Sequence, residues 1–249
     1  MSSVEQLYTA YAANEPLELG VLEIESKEAA YDVQRGVLKL KEENGEVLTG
    51  YKISLTSRET QDLFHSDSPL YGAMTDRTVK KEINLNDYNI PLLEMELVFL
   101  VDEEILPEDD EAAIMQKCRV APGAEVPDGR YKDWFPNAAL TEIIADGAVN
   151  GAVVYGEPSH YDYKAIEDIK GTLFHDGTAI KEGRSTEVLG HPASAVKWLA
   201  GTLAVRGGKL TPGLFISSGT FNLPLPLKTG TYRVEYENVG SVDFRVVQQ

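Results

Sequence analysis

The stretch PLLEMELVFLVDEEI, residues 91–105, places two glutamates inside an otherwise apolar run. On a strand, residues i and i+2 share a face and lie roughly 6.6 Å apart along it. Glu94 and Glu96 therefore project side by side, on a face that continues as Val98 and Leu100. Leu93, Met95, Leu97 and Phe99 form the other face. A strand that is apolar on both faces belongs where both are buried. Two adjacent carboxylates there repel each other, and burying each costs several kcal/mol unless something compensates. A divalent cation compensates both, and carboxylate oxygens select magnesium, manganese or calcium over zinc. The competing arrangement is an edge strand whose glutamates lie at a wet end. A third acidic ligand would separate the two. APGAEVPDGRYKDW offers Glu125 and Asp128, with a surface turn through Pro127-Asp128-Gly129 as the plain alternative.

A second charged residue sits on a patterned strand. EVLTGYKISLT alternates, with Tyr51, Ile53 and Leu55 pointing one way and Leu48, Lys52 and Ser54 the other. An ammonium on that face is partly desolvated, which suits it to proton transfer. A lysine that buries its stem and keeps its head wet is the bland reading. His191, in GHPAS, fits a helix start hydrogen-bonded to backbone, with ligand or base as the alternative. His65, His160 and His175 form no ligand-spaced cluster, and neither a nucleophile elbow nor a phosphate loop is present. Cys118 is the only cysteine; it excludes an internal disulfide and suits a reducing cytoplasm.

Periodicity organises the rest. Ser2-x-x-Glu5 opens a first helix through VEQLYTAYAAN, and SKEAAYDVQRGVLKLKEENG is a second, with Ala30, Val33, Val37 and Leu40 on one face. Thr56-x-x-Glu59 starts a short helix, and HSDSPLYGAMTD reads as a turn-rich loop. VDEEILPEDDEAA reads as a solvated loop and a first helical turn with Pro107 at its first position. GTLFHDGTAIKEG is a hairpin around Asp176-Gly177, and HPASAVKWLAGTLAVRGG is a helix with Pro192 in its first turn. LFISSGT, GTYRVEYEN and GSVDFRVV are late strands. Helices first and strands later predict an α+β fold, mainly β, with a smaller N-terminal part. The net charge of −17 excludes nucleic acid and anionic membranes as partners. No run is long and apolar enough to span a bilayer, and the N-terminus lacks a signal core, so a cytoplasmic location is expected.

Taken together, GYKISLTSRETQ, SPLYGAMTD, LLEMELVFLV, AEVPDGRYKDW, IIADGAVNGAVVYG, LGHPASAVKWLA and VGSVDFRV resemble, in order, the hydratase/decarboxylase branch of the fumarylacetoacetate hydrolase superfamily. The resemblance runs from about the second helix to the C-terminus. It implies a mixed β-roll or barrel catalytic body over residues 79–249 with a packed helix, and a smaller helical and αβ part over 1–78. It implies a homo-oligomer, and a Mg²⁺ or Mn²⁺ site on Glu94, Glu96 and Glu125, which sets Glu125 ahead of Asp128. The family's active-site lysine corresponds to Lys52, and Ser54, Leu70, Ser218 and Thr220 correspond to substrate-contacting positions.

The activity implied is a metal-dependent lyase of aromatic catabolism acting on an unsaturated 2-oxo or 2-hydroxy acid, resembling the 2-keto-4-pentenoate hydratases. A 4-oxalocrotonate decarboxylase-like reaction is the alternative. Further ones are an acylpyruvate-type C–C hydrolase and a non-catalytic acid-binding protein. Three positions depart from the hydratase pattern. Leu70 stands where hydratases carry aspartate, Gly147 where asparagine is usual, and Gly129 where serine is common. The first favours decarboxylation, and the other two remove polar groups expected near the site.

Overall fold

Ten consecutive residues, Leu92–Val101, form the longest strand, and all but Leu100 are buried. The computed structural model describes residues 1–249. In chain order the helices are α1 (Ser3–Ala13), α2 (Lys27–Glu43), α3 (Arg58–Leu63), α4 (Glu111–Lys117), α5 (Trp134–Asn137), α6 (Leu140–Ala145) and α7 (Pro192–Val205). The first six strands are β1 (Leu48–Ser54), β2 (Leu70–Thr75), β3 (Glu82–Asn84), β4 (Leu92–Val101), β5 (Cys118–Val126) and β6 (Ala152–Tyr155). The rest are β7 (Lys170–His175), β8 (Thr178–Arg184), β9 (Phe215–Thr220), β10 (Leu225–Pro226), β11 (Gly230–Tyr236) and β12 (Gly240–Val247).

Seven strands make the main sheet, in the order β2-β1-β9-β4-β5-β6 with β10 paired to one end of β4. Its pairs are antiparallel apart from β1 with β9. Five strands make the second sheet, β3-β12-β11-β7-β8, which packs across β4, β5 and β6. The two faces of β4 serve different layers. Leu93, Met95, Leu97 and Phe99 join the principal core, whereas Val98 joins a small cluster with Met74, Val153 and Phe215. Tyr236 of β11 ties the sheets together, its hydroxyl lying 3.0 Å from the Glu96 carbonyl and 2.7 Å from that of Gly123. The architecture is α+β with a mixed sheet, as the order of elements predicts. No helix is long and apolar enough to cross a membrane.

Several local expectations shift. LYGAMT, expected in a loop, is β2, antiparallel to β1. Its Gly72 has to be glycine, because a Cβ there would meet the Gly147 carbonyl oxygen at 1.8 Å. The acidic-run helix starts at Glu111 rather than near Pro107, because Asp110 caps it by accepting from Ala113 N at 2.8 Å. Likewise α3 is capped by Ser57, one residue after the expected Thr56. The most buried stripe of α2 is Ala30, Tyr31, Gln34 and Lys41, not the apolar series Ala30, Val33, Val37, Leu40. A polar layer explains the rotation. Gln34 donates to the carbonyls of Tyr71 and Ile144, and Lys41 lies 3.6 Å over the Tyr11 ring.

Burial, with the Arg130 charge adding to it, brings the Lys41 ammonium down to about 7. A lysine depressed on folding destabilises the native state while the unfolded chain keeps its proton. Stability should therefore rise with pH between about 7 and the unfolded value of 10.5. Lys41→Met is expected to raise Tm by several degrees at pH 7, with the gain shrinking toward pH 10. A gain that does not change with pH in thermal melts would contradict this origin.

Candidate active site

The strand register assembles the site. Glu94 of β4 pairs directly with Glu125 of β5, and Lys52 of β1 pairs with Ser217 of β9. Between them β9 runs against β4 with an irregularity: Glu96 faces Thr220 while Val98 faces Ser217, so β9 carries an extra residue. Such a bulge re-aims its neighbours. Here it turns the Ser217 hydroxyl and the Gly219 amide onto one oxygen, Glu96 Oε2, at 2.5 and 3.0 Å. Gly219 has φ +118°, and a Cβ would lie 2.5 Å from the Thr56 side chain, so no other residue fits this turn.

One oxygen from each of Glu94, Glu96 and Glu125 lies within 4.8 Å of the others. At that spacing each ionised pair repels by on the order of 3 kcal/mol at an effective dielectric of about 20. Lys52 Nζ lies 2.6 Å from Glu125 Oε1, with both side chains fully buried. The contact is an ion pair, and neither Glu125 oxygen nor the ammonium makes a hydrogen bond of ordinary geometry. Three carboxylates against one ammonium leave two uncompensated negative charges. Orphaned buried carboxylate oxygens, all-oxygen donors and a deficit of two charges fit a hard divalent cation.

Protonation is the other outlet for this charge. Burial, reinforced by the Glu125 charge and opposed by Lys52, pushes the Glu94 carboxyl up to about 8. Burial and the charges of Glu125 and Glu94 hold Glu96 well above the usual carboxylate range. Glu125 is raised by burial, with Lys52 pulling the other way.

Beside the cluster lies a cavity of about 50 Å³. Lys52, Glu94, Glu96, Ser54, Thr60 and Thr220 are the polar members of its wall. The remainder is apolar, including Leu63 and Phe64 at the end of α3, Trp134, Phe135 and Ile143. Leu55, at the rim, has φ +57°, uncommon for a side chain of this kind, and its carbonyl accepts from Gln61 Nε2 at 2.9 Å. Gly129 gives the Trp134 indole its place: a Cβ at 129 would sit 2.5 Å from Trp134 Cγ.

The structure brings Lys52, Ser54, Glu94, Glu96, Glu125 and Thr220 together. Ser218 turns away and donates to the Leu97 carbonyl at 2.9 Å. Leu70, in register with Ser54 across β1–β2, is buried in the core and is not on the cavity wall. Asp128 is not at the surface. Its carboxylate accepts from Asn89 N and Ile90 N, and burial pushes it up to about 6. Gly147 lines a separate polar cleft with Lys41 and Arg130. His191 caps α7, accepting from Ala193 N at 3.0 Å and stacking on Tyr163. Ser217 is the residue that sequence reasoning missed. A glycine inside the strand, Gly219, is the bulge signal that marks it.

A carboxyl raised on folding binds its proton more tightly in the native state. Its stabilisation is present below the unfolded value, near 4.5 for Glu94, and is lost as pH rises to about 8. The chelated, metal-free protein should lose Tm across that window, and Glu94→Gln should flatten the slope. Melts in EDTA check this, and an unaltered slope in the variant would contradict it.

No protein-family model matches the chain. It is 31% identical over 231 residues to 2-oxo-hept-4-ene-1,7-dioate hydratase of Escherichia coli, covering 88% of this chain and 86% of that protein. A 4-oxalocrotonate decarboxylase of a Pseudomonas species is 30% identical over 226 residues, at 88% and 86% coverage. Among solved structures, 4-oxalocrotonate decarboxylase from Pseudomonas putida G7, complexed with magnesium and adipate, superposes with a TM-score of 0.89. That match covers 98% of this chain and 96% of the other at 24% identity.

Proposed function

The chain belongs to the hydratase/decarboxylase branch of the fumarylacetoacetate hydrolase superfamily, and from that premise we propose that it is a divalent-metal-dependent hydratase of 2-hydroxydienoic acids in aromatic catabolism. The observation that carries the proposal is the buried set of three carboxylates and one lysine opening on an otherwise apolar cavity. Glu94, Glu96 and Glu125 would hold magnesium or manganese. When bound, that ion supplies positive charge for the carboxylate and adjacent oxygen of a 2-oxo acid.

The chain's own groups do the rest. Ser217 and the Gly219 amide fix one Glu96 oxygen, so the carboxylate is oriented before anything binds. Lys52 is the only cationic side chain on the wall. Its Nζ is the group that can give up or take the proton moved when the enol becomes a ketone. Ser54, Thr60 and Thr220 carry the wall's hydroxyls; those of Thr60 and Thr220 donate to backbone carbonyls and would act only as acceptors for the water that adds to the alkene. The apolar remainder excludes further water.

The position of Leu70 removes its weight against hydration. A leucine cannot transfer protons, but this one is not on the wall, so its identity does not bear on the water. Decarboxylation is the second reading, favoured by the apolar wall, which strips water from a departing carboxylate.

With Mg²⁺ present, the protein is expected to consume 2-hydroxypenta-2,4-dienoate and form 4-hydroxy-2-oxopentanoate, with no turnover in EDTA. Lys52→Met should lower kcat by about 100-fold or more. Carbon dioxide release from 2-oxohex-3-enedioate without hydration of the dienoate would establish the second reading instead.

A further inference from the structure

Every side chain on the cavity wall that is not part of the carboxylate–lysine cluster is uncharged. No arginine and no histidine lines it, and Lys52 is already held by Glu125 at 2.6 Å. Phe64, Phe135 and Trp134 form a continuous aromatic surface, with ring centroids 6.1 and 5.5 Å apart. The one polar atom of that surface, Trp134 Nε1, donates to the Ile90 carbonyl at 3.1 Å and is not available to a ligand. Thr220 and Thr60 also spend their hydroxyl protons on backbone, on the carbonyls of Asn222 and Ser57.

The cleft next door, which shares Thr220, brings no remedy. It carries Lys181 and Arg184 alongside Glu59, Glu182 and Glu187; Arg184 is paired with Asp168 at 2.7 Å, and the three glutamates outnumber the two cations. A second carboxylate on the substrate would therefore lie among aromatic rings, with no free cation on the cavity wall and a net negative cleft beyond it. An alkyl or aryl tail would meet only surfaces it prefers.

From this we infer that the site selects 2-oxo and 2-hydroxydienoic monocarboxylates bearing an uncharged apolar tail, and discriminates against their dicarboxylate counterparts. The inference rests on the hydratase reading for its chemistry. The selection itself is a property of the wall and shows in binding as well as turnover. Leu63, Phe64, Trp134, Phe135 and Ile143 are the residues that impose it.

The test compares ligands differing only in the distal group. In the Mg²⁺-loaded protein, binding of 2-oxohexanoate and of 2-oxoheptanedioate is measured by calorimetry. Alongside, kcat/KM is measured for 2-hydroxyhexa-2,4-dienoate and 2-hydroxyhepta-2,4-dienedioate. The monoacid is expected to bind and turn over at least about 100-fold better, in keeping with the discrimination a pocket achieves by leaving a polar group unpaired. Leu63, 40% exposed, accepts a long side chain without disturbing the core. Leu63→Arg should close the gap by about 10-fold or more, through gain on the diacid and not only loss on the monoacid. Equal or tighter binding of the diacid by the wild-type protein would overturn the inference. Preferential binding of the monoacid with no turnover of either dienoate would uphold it and sink the hydratase reading instead.

Discussion

The structure turns on a charge imbalance. Three glutamates bring one oxygen each within 4.8 Å of the others, with a single lysine paired to one of them, and burial leaves too few hydrogen-bond donors for their oxygens. Such a cluster is tolerated by protonating carboxylates, as the rise of Glu94 to about 8 indicates, or by recruiting a cation. The surrounding elements are arranged to keep the imbalance. β4 is buried along nearly its whole length, β5 sets Glu125 opposite Glu94, and β1 brings Lys52 within reach of Glu125 alone.

The second sheet makes that arrangement rigid. Tyr236 reaches from β11 to the backbone beneath Glu96, at the point where the bulge in β9 supplies two donors to the Glu96 side chain. Glu96 is thus fixed from its main chain and its carboxyl group by different layers. Loss of either contact would remove one of the two restraints on Glu96. On the cavity side, Gly129 and Trp134 show the same economy, a missing side chain giving an indole its seat on the cavity wall.

Much of this was legible in the residues. Glu94 and Glu96 stand out because period two puts them together on an apolar strand, and Lys52 because it breaks an alternating one. Glu125 was only one of two candidates by spacing. Its pairing with Glu94 is long-range register, which no local pattern encodes. For SSGT the resemblance points to Ser218 and Thr220. The bulge gives Glu96 its contacts from Ser217 and Gly219 instead. The place of Leu70 is illegible for a related reason: the turn residues of HSDSPLYGAMTD read as a loop, and the pairing of β2 with β1 has no local signal. Nor does periodicity show that Gln34 and Lys41 replace apolar residues on α2, because buried polar layers depend on partners far along the chain.

The central claim is that the glutamate cluster is a divalent-cation site, and the most direct test is titration of Mn²⁺ into chelated protein, read by calorimetry and by the electron paramagnetic resonance of free manganese. The account expects one tightly held ion per chain, competed by Mg²⁺, with a rise in Tm on binding and loss of that ion in Glu125→Gln. A wild-type protein that takes up no manganese and melts at the same temperature with and without it would contradict the account.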